Sequence, residues 1–177
     1  INDAAVKKGI LIGLCLNCNI NNLTKFARKH YFYPDLPKGY QITQSESPLC
    51  ENGFLNLDST KKVRIIRAHL EEDAGKTIHT LEGTALIDYN RCGAPLLEIV
   101  SAPDISSSEE ALNYLKSLKE IIMSTKASDC DMEKGNLRVD LNISVRKHGN
   151  KELGTRREVK NVNSFRNIEK AINYEFL

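Results

Sequence analysis

No apolar run in the sequence approaches the ~20 residues needed to cross a bilayer. The longest, Gly9 to Leu16 and Pro95 to Val100, fall far short, and no signal-peptide pattern opens the chain, so the expectation is a soluble protein. Nor is there an excess of one charge. Against 25 Lys and Arg stand 23 Asp and Glu, a net charge of +2, which excludes a disordered acidic tail and a histone-like polycation; any basic surface must be local. Cysteine is scarce and odd in number. Cys15, Cys18, Cys50, Cys92 and Cys130 lack the spacing of a small disulfide scaffold and predict free thiols in a reducing compartment. Cys15 and Cys18 have CxxC spacing, but no second Cys or His pair follows and they lie in an apolar helical run, which favours core packing over a zinc site. Gly-rich phosphate loops of the Walker or dinucleotide type are missing, as are GxSxG and HExxH, which removes several familiar enzyme classes. There is no internal repeat, low-complexity segment or linker.

What remains is a chain of 177 residues, 41% hydrophobic, enough for one domain burying about two-thirds of its unfolded surface. It opens on Ile1, and both ends read as cut. Asn2 or Asp3 caps a predicted, mostly buried helix running through Ala5, Val6, Ile10, Leu11, Leu14 and Cys15. Short β signals follow at 40–44, 53–58, 62–70, 83–88 and 95–100, separated by Gly, Asn, Asp or Pro. Ser107 and Glu110 have capping-box spacing, and Ala111, Leu115, Leu118 and Ile122 line one face of a helix expected to lie across that sheet. From Leu137 to Arg146, apolar and polar residues alternate without a break, as in a half-buried strand. A partner strand through Thr155 to Val159 and a helix starting near Ser164 complete an α+β fold with a mixed, partly antiparallel sheet and flanking helices.

Chemistry concentrates in carboxylates. Glu98 sits in Pro-Leu-Leu-Glu-Ile-Val, a strand predicted to be apolar on both sides, where an unpaired carboxylate costs several kcal/mol. An ion pair with an Arg such as Arg91, a divalent metal or a ligand-facing cleft would each compensate it. Glu71, Glu72 and Asp73 close a strand, Asp140 lies mid-strand on a polar face, and Glu158 lies on the expected partner strand; such hard oxygen ligands suit Mg²⁺. Charge is segregated: residues 97–133 carry eight acids and three bases, residues 134–170 ten bases and four acids. Arg138, Arg156, Arg157 and Lys160, read as strand residues, could meet phosphate in ATP or RNA. Phe26 to Tyr33, which includes Lys29, interleaves aromatics with cations, a pattern of single-stranded nucleic-acid binders and equally of aromatics packed in a core.

Four strings then carry a resemblance: Arg-Lys-His-Tyr-Phe-Tyr-Pro-Asp-Leu-Pro-Lys-Gly-Tyr-Gln (28–41), His-Leu-Glu-Glu-Asp-Ala-Gly-Lys (69–76), Asp-Tyr-Asn-Arg-Cys-Gly-Ala-Pro-Leu-Leu-Glu-Ile-Val (88–100) and Glu-Val-Lys-Asn-Val-Asn-Ser-Phe (158–165). In this order they resemble the B subunits of aspartyl/glutamyl-tRNA amidotransferases. The resemblance implies a cradle with a glutamine-synthetase-like antiparallel sheet. It implies ATP and Mg²⁺ as cofactors in phosphorylating glutamate or aspartate misacylated on tRNA, and ammonia from a glutaminase A subunit, with a C subunit wrapping both. It implies Glu72 and Glu98 as Mg²⁺ ligands. A Glu and a His of the family site, from a Gly-Leu-Glu-Val-His segment, have no match here, so residues 1–177 are read as a single, incomplete catalytic cradle without the tRNA-gripping C-terminal domains, inactive alone. Glu72, Glu98, Asp140 and Lys160 are the candidate catalytic residues, and Arg138, Glu158 and Lys29 the candidate nucleotide-binding residues. The expected location is a bacterial cytoplasm, or an organelle matrix if a targeting segment lies upstream. The runner-up is a non-catalytic scaffold or RNA-binding module on the same sheet.

Overall fold

A computed structural model describes residues 2–176. The chain divides into two compact units, Ile1–Leu55 with Arg64–Ala102, and Asn56–Val63 with Pro103–Leu177. In chain order the elements are α1 (Asp3–Cys15), β1 (Asn19–Ile20), β2 (Ala27–His30), β3 (Tyr40–Thr43), β4 (Cys50–Asn56), β5 (Lys62–Glu72), β6 (Lys76–His79), β7 (Ala85–Asp88), β8 (Pro95–Ser101), α2 (Ser108–Ser124), β9 (Val139–Ile143), β10 (Arg157–Val162) and α3 (Phe165–Glu175). The class is α+β, as expected.

In the first unit, five strands run in the order β1-β4-β5-β3-β2, and β8 also pairs with β5. β5 is the organiser. Its eleven residues reach β4, β3 and β8, and within this unit its Ile65, Ala68 and Leu70 are buried. β5 and β8 pair antiparallel from Ile65↔Ser101 to Glu72↔Pro95, with His69 opposite Glu98 and Leu70 opposite Leu97. Gly9 explains how α1 approaches: a Cβ there would meet side-chain carbons of Leu49, Leu70 and Leu97. The helix therefore covers the sheet face carrying Leu70 and Leu97, and the strand period sends His69 and Glu98 to the other face. Gly13 is under the same constraint, because a Cβ there would overlap Cys50 Sγ. The helix is less buried than its composition predicts. Only the stripe Gly9, Ile12 and Gly13 is buried, while Leu11 and Leu14 remain exposed.

In the second unit, Ser107 caps α2 by accepting from Glu110 N–H (3.1 Å), while the Glu110 carboxylate accepts from Ser106 N–H (2.7 Å). This is a capping box displaced by one residue at its return bond. Ala111, Tyr114, Leu115, Leu118 and Ile122 form the buried face of α2. Within the second unit α2 packs on α3. Ser164 caps α3, which buries Ile168 and Ile172 and also contacts β9 and β10. The alternation read over ten residues yields a strand of only five, Val139–Ile143, because its partner covers no more.

Candidate functional site

His69 Nε2 lies 3.2 Å from Glu71 Oε1 and 3.4 Å from Glu98 Oε2. Ligand atoms of the three side chains all lie within 4.8 Å of one another. Two backbone facts build this cluster: the period of β5 puts His69 and Glu71 on one face, and the β5/β8 register sets Glu98 opposite His69. Neighbouring strands hold it. Thr43 Oγ1 donates to Glu71 Oε1 (2.8 Å) and Gln41 Nε2 to Glu71 Oε2 (3.4 Å), and Gln41 is the register partner of Lys29.

The imidazole is completely buried and the Glu98 side chain is 47% exposed. Glu98 was expected inside a strand covered on both sides. The structure leaves it open, because among the described residues β8 pairs only with β5 and α1 covers the opposite face. The compensation is also different from the Arg91 ion pair. Arg91 Nε donates to Ala74 O and stands 3.8 Å from Asp73, whereas the partner of Glu98 is His69. The hydrogen bond from His69, reinforced by the charges of His69, Arg67 and Lys29, holds the Glu98 carboxyl below its ordinary range against the opposing effect of burial. For His69, burial is the largest single influence and pulls downward, but hydrogen bonds and charge from Glu71 and Glu98 together outweigh it and raise the ring. His69 Nδ1 is buried with no hydrogen-bond partner, which leaves Nε2 as the atom that works on the carboxylates.

Glu72 does not join them. Its side chain turns toward β3, where Oε1 accepts from Ile42 N–H (2.9 Å), and Lys38 Nζ contacts both oxygens at 2.5 and 2.6 Å. The structure thus groups Glu98 with Glu71, and Glu72 with Lys38. His69 went unselected in the sequence, and Glu71 was named only as one of three carboxylates closing a strand, although their signal was present: two residues apart on a strand, they share the face that Glu72 leaves.

The other candidates fall in the second unit. β9 and β10 do pair, with Glu158 opposite Asn142 and Val159 opposite Leu141, followed by a register shift before Val162↔Val139. Lys160 lies in that irregularity, and its Nζ is 3.5 Å from Glu158 Oε2. Asp140, Glu158 and Lys160 are exposed while Leu141 is buried, so these polar side chains occupy the open face of the pair. Arg138 and Arg156, read as strand residues, each precede a strand by one position, and Arg157 is drawn to Glu175 of α3 at 2.9 Å.

The cysteines are all free thiols. Cys18 and Cys50 are buried, and burial raises both, Cys50 to about 12. Cys15 is exposed at the end of α1, so core packing holds for the second Cys of the pair and not for the first. Among the described residues no helix is long and apolar enough to cross a membrane.

From residue 1 to residue 177 the chain matches the family described as the GatB/GatE catalytic domain. The chain belongs to this family. It is 54% identical over 180 residues to the B subunit of an aspartyl/glutamyl-tRNA(Asn/Gln) amidotransferase from Clostridium acetobutylicum, with 99% of the chain and 38% of that relative covered. Identity is 53% over 180 residues to the corresponding protein of Clostridium botulinum strain 657, at the same coverage. To that of a Thermoanaerobacter species it is 53% over 178 residues, with 99% and 38% covered. The chain therefore spans about 38% of the length of the curated relatives it matches.

Proposed function

We propose that this GatB/GatE-family domain activates the side-chain carboxylate of glutamate or aspartate carried on a misacylated tRNA, using ATP, so that ammonia converts it to the amide. The observation that carries this reading is the cluster of Glu71, half-exposed Glu98 and buried His69 on the face of β5 and β8 opposite α1, with Lys29 and Arg67 charged nearby. A carboxylate is a poor acyl donor, since oxide is a bad leaving group. Attack of a carboxylate oxygen on the γ-phosphorus of ATP forms a new P–O bond and breaks the bond to ADP. Ammonia then adds to the acyl phosphate and phosphate departs, leaving the amide.

The donor set fits Mg²⁺, which takes oxygen ligands and keeps waters. Glu71 and Glu98 supply carboxylates, and the half-exposed Glu98 leaves room for a nucleotide phosphate. Glu71 takes the place first expected of Glu72, whose oxygens are engaged by Lys38 and Ile42. Bound with ATP, Mg²⁺ would supply charge neutralisation for the moving phosphoryl group. His69 contributes position: its Nε2 holds two carboxylates that would otherwise repel each other. Lys29 and Arg67 attract the anionic substrates. In the second unit, taken by itself, Asp140 and Lys160 stand as candidate catalytic residues and Arg138 and Glu158 as candidate nucleotide-binding residues, with Lys160 Nζ 3.5 Å from Glu158 Oε2.

Ammonia would come from a glutaminase A subunit, with a C subunit holding the two together, in the compartment where translation occurs; for the bacterial relatives that is the cytoplasm. The test is phosphate release from ATP by the full-length protein reconstituted with A and C subunits. Release that rises with misacylated tRNA and Mg²⁺ supports the reading; release indifferent to misacylated tRNA contradicts it.

A further inference from the structure

Phe32 and Tyr33 are 86% and 65% exposed, although core packing is the ordinary fate of such side chains. They sit on a loop that is tied down. Tyr31 N–H donates to Gly39 O (3.1 Å), Leu36 N–H to Tyr33 O (3.0 Å) and Gly39 N–H to Leu36 O (2.9 Å). Outside the loop, Gly75 N–H donates to Asp35 O (2.8 Å), Tyr89 Oη to Pro34 O (2.6 Å), and Lys38 pairs with Glu72. Leu36 anchors the centre at 1% exposure. Gly39 has φ +74, and a Cβ there would stand 3.1 Å from the Phe32 ring, so the edge of that ring rests on a position where only hydrogen fits comfortably. Two aromatic rings, Tyr33 with Tyr31 beside it at 5.4 Å between centroids, are thus presented to solvent from a hydrogen-bonded frame, and little ordering cost remains for whatever covers them.

The surroundings select the occupant. Between Lys25 and Tyr40 the sequence holds four Lys or Arg and one carboxylate. Arg28 lies 4.6 Å from the Tyr40 ring centroid, and Arg28, Lys29 and His30 are exposed on β2, which only Tyr31 separates from the aromatic pair. An apolar protein partner gains little from a rim of one charge sign, whereas open rings beside cations suit stacked bases and their phosphates. Paired bases of an RNA helix do not offer their faces, so the bases must be unpaired. We infer that Phe32 and Tyr33 form a preformed stacking platform for unpaired nucleotides at the 3′ end of the tRNA substrate, with Lys25 and Arg28 on its phosphates. The strand that leads into the platform is linked to the carboxylate cluster within one sheet: Lys29 of β2 is the register partner of Gln41, whose side-chain amide donates to Glu71. An aminoacyl group at that 3′ end would lie toward the cluster. This inference rests on the tRNA-linked reading above.

The test is fluorescence anisotropy with the full-length protein and two probes, a short labelled single-stranded RNA ending in CCA and a blunt RNA duplex of equal length. Phe32→Ala and Tyr33→Ala are each expected to weaken single-strand binding about 5- to 100-fold and to leave duplex binding unchanged. Phe32→Leu, which keeps apolar volume and loses the aromatic face, weakens it similarly, and Phe32→Trp restores it; both keep the loop filled, so misfolding cannot imitate the pattern. Arg28→Ala lowers the slope of log affinity against log salt by about 0.7, and the aromatic variants leave that slope alone. Single-strand affinity indifferent to Phe32 and Tyr33 overturns the inference. So does an unchanged RNA affinity with lost binding of the A or C subunit, which would make the loop a protein interface. Failure of the underlying function looks different: phosphate release would not respond to misacylated tRNA even in the unsubstituted protein.

Discussion

His69 and Glu98 face each other across β5 and β8 with Nε2 and Oε2 3.4 Å apart, the ring wholly buried and the carboxylate nearly half exposed. A buried donor that fixes an open acceptor is how a site holds charge ready without hiding it. Glu98→Gln keeps the side-chain volume and removes the charge. We expect it to lower ATP-dependent amidation roughly 100-fold or more while the A subunit still hydrolyses glutamine. Parallel assays of amide formation and glutamate release check this; retained amidation at ordinary Mg²⁺ would reduce Glu98 to a structural partner of His69.

Adjacent glutamates should separate cleanly. Glu71→Gln is expected to raise the Mg²⁺ concentration for half-maximal activity by at least about tenfold. Glu72→Gln should leave that concentration unchanged and cost roughly 1 kcal/mol of stability through the partly exposed Lys38 pair. Mg²⁺ titrations of activity beside urea unfolding distinguish them, and the reverse assignment would return the metal role to Glu72.

The cluster also sets a pH window. His69 is raised above its ordinary 6.5, so its contribution is fully present below 6.5 and is lost as pH rises through the raised value. Glu98 is lowered from its ordinary 4.5, so its contribution is present above 4.5 and is lost as pH falls through the lowered value. Without added metal, the stability difference between the protein and its His69→Gln variant is therefore largest between about pH 4.5 and 6.5. Solvent screening of the exposed carboxylate limits its share to at most about 1 kcal/mol. Chemical unfolding across roughly pH 4 to 8 reads this directly; a difference that grows steadily toward the alkaline end would contradict the pairing.

Much of this was written in the sequence. Ser107, Ser164 and Asn2 announced helix starts because a side-chain oxygen can satisfy an orphan N–H locally, and Leu141 and Val159 announced a strand pair through period two. Glu98 was singled out for a burial it lacks: an apolar stretch cannot tell that one face of its strand stays uncovered. Glu72 was named over Glu71 through the family resemblance alone; which of two adjacent carboxylates shares a face with His69 depends on the strand period, and that favours Glu71. β2 and β6 were missed as strands, because each has four residues of which three are polar, so neither shows an apolar alternation, although each pairs with the next strand along the chain. Phe32 and Tyr33 balanced between core and surface until the loop anchored by Leu36 turned them outward.

In the second unit, the exposed Lys160 beside Glu158 provides an independent check. Lys160→Ala should raise the ATP concentration needed for half-maximal rate and lower turnover, with tRNA affinity little changed. Steady-state kinetics in ATP and tRNA binding at several salt concentrations measure both. A large loss of tRNA affinity, with the salt slope reduced by about one unit and ATP dependence unchanged, would move the β9/β10 face from nucleotide to RNA.

The central claim is that the amino-acid carboxylate itself attacks ATP, and isotope transfer tests it most directly. Misacylated tRNA carrying heavy oxygen in both side-chain carboxylate positions is incubated with ATP, glutamine and the reconstituted enzyme, and the released phosphate is analysed by mass spectrometry. Formation of an acyl phosphate predicts one heavy oxygen in each phosphate released, and loss of that labelled phosphate in Glu98→Gln. Phosphate released without label while the amide still forms would contradict the account.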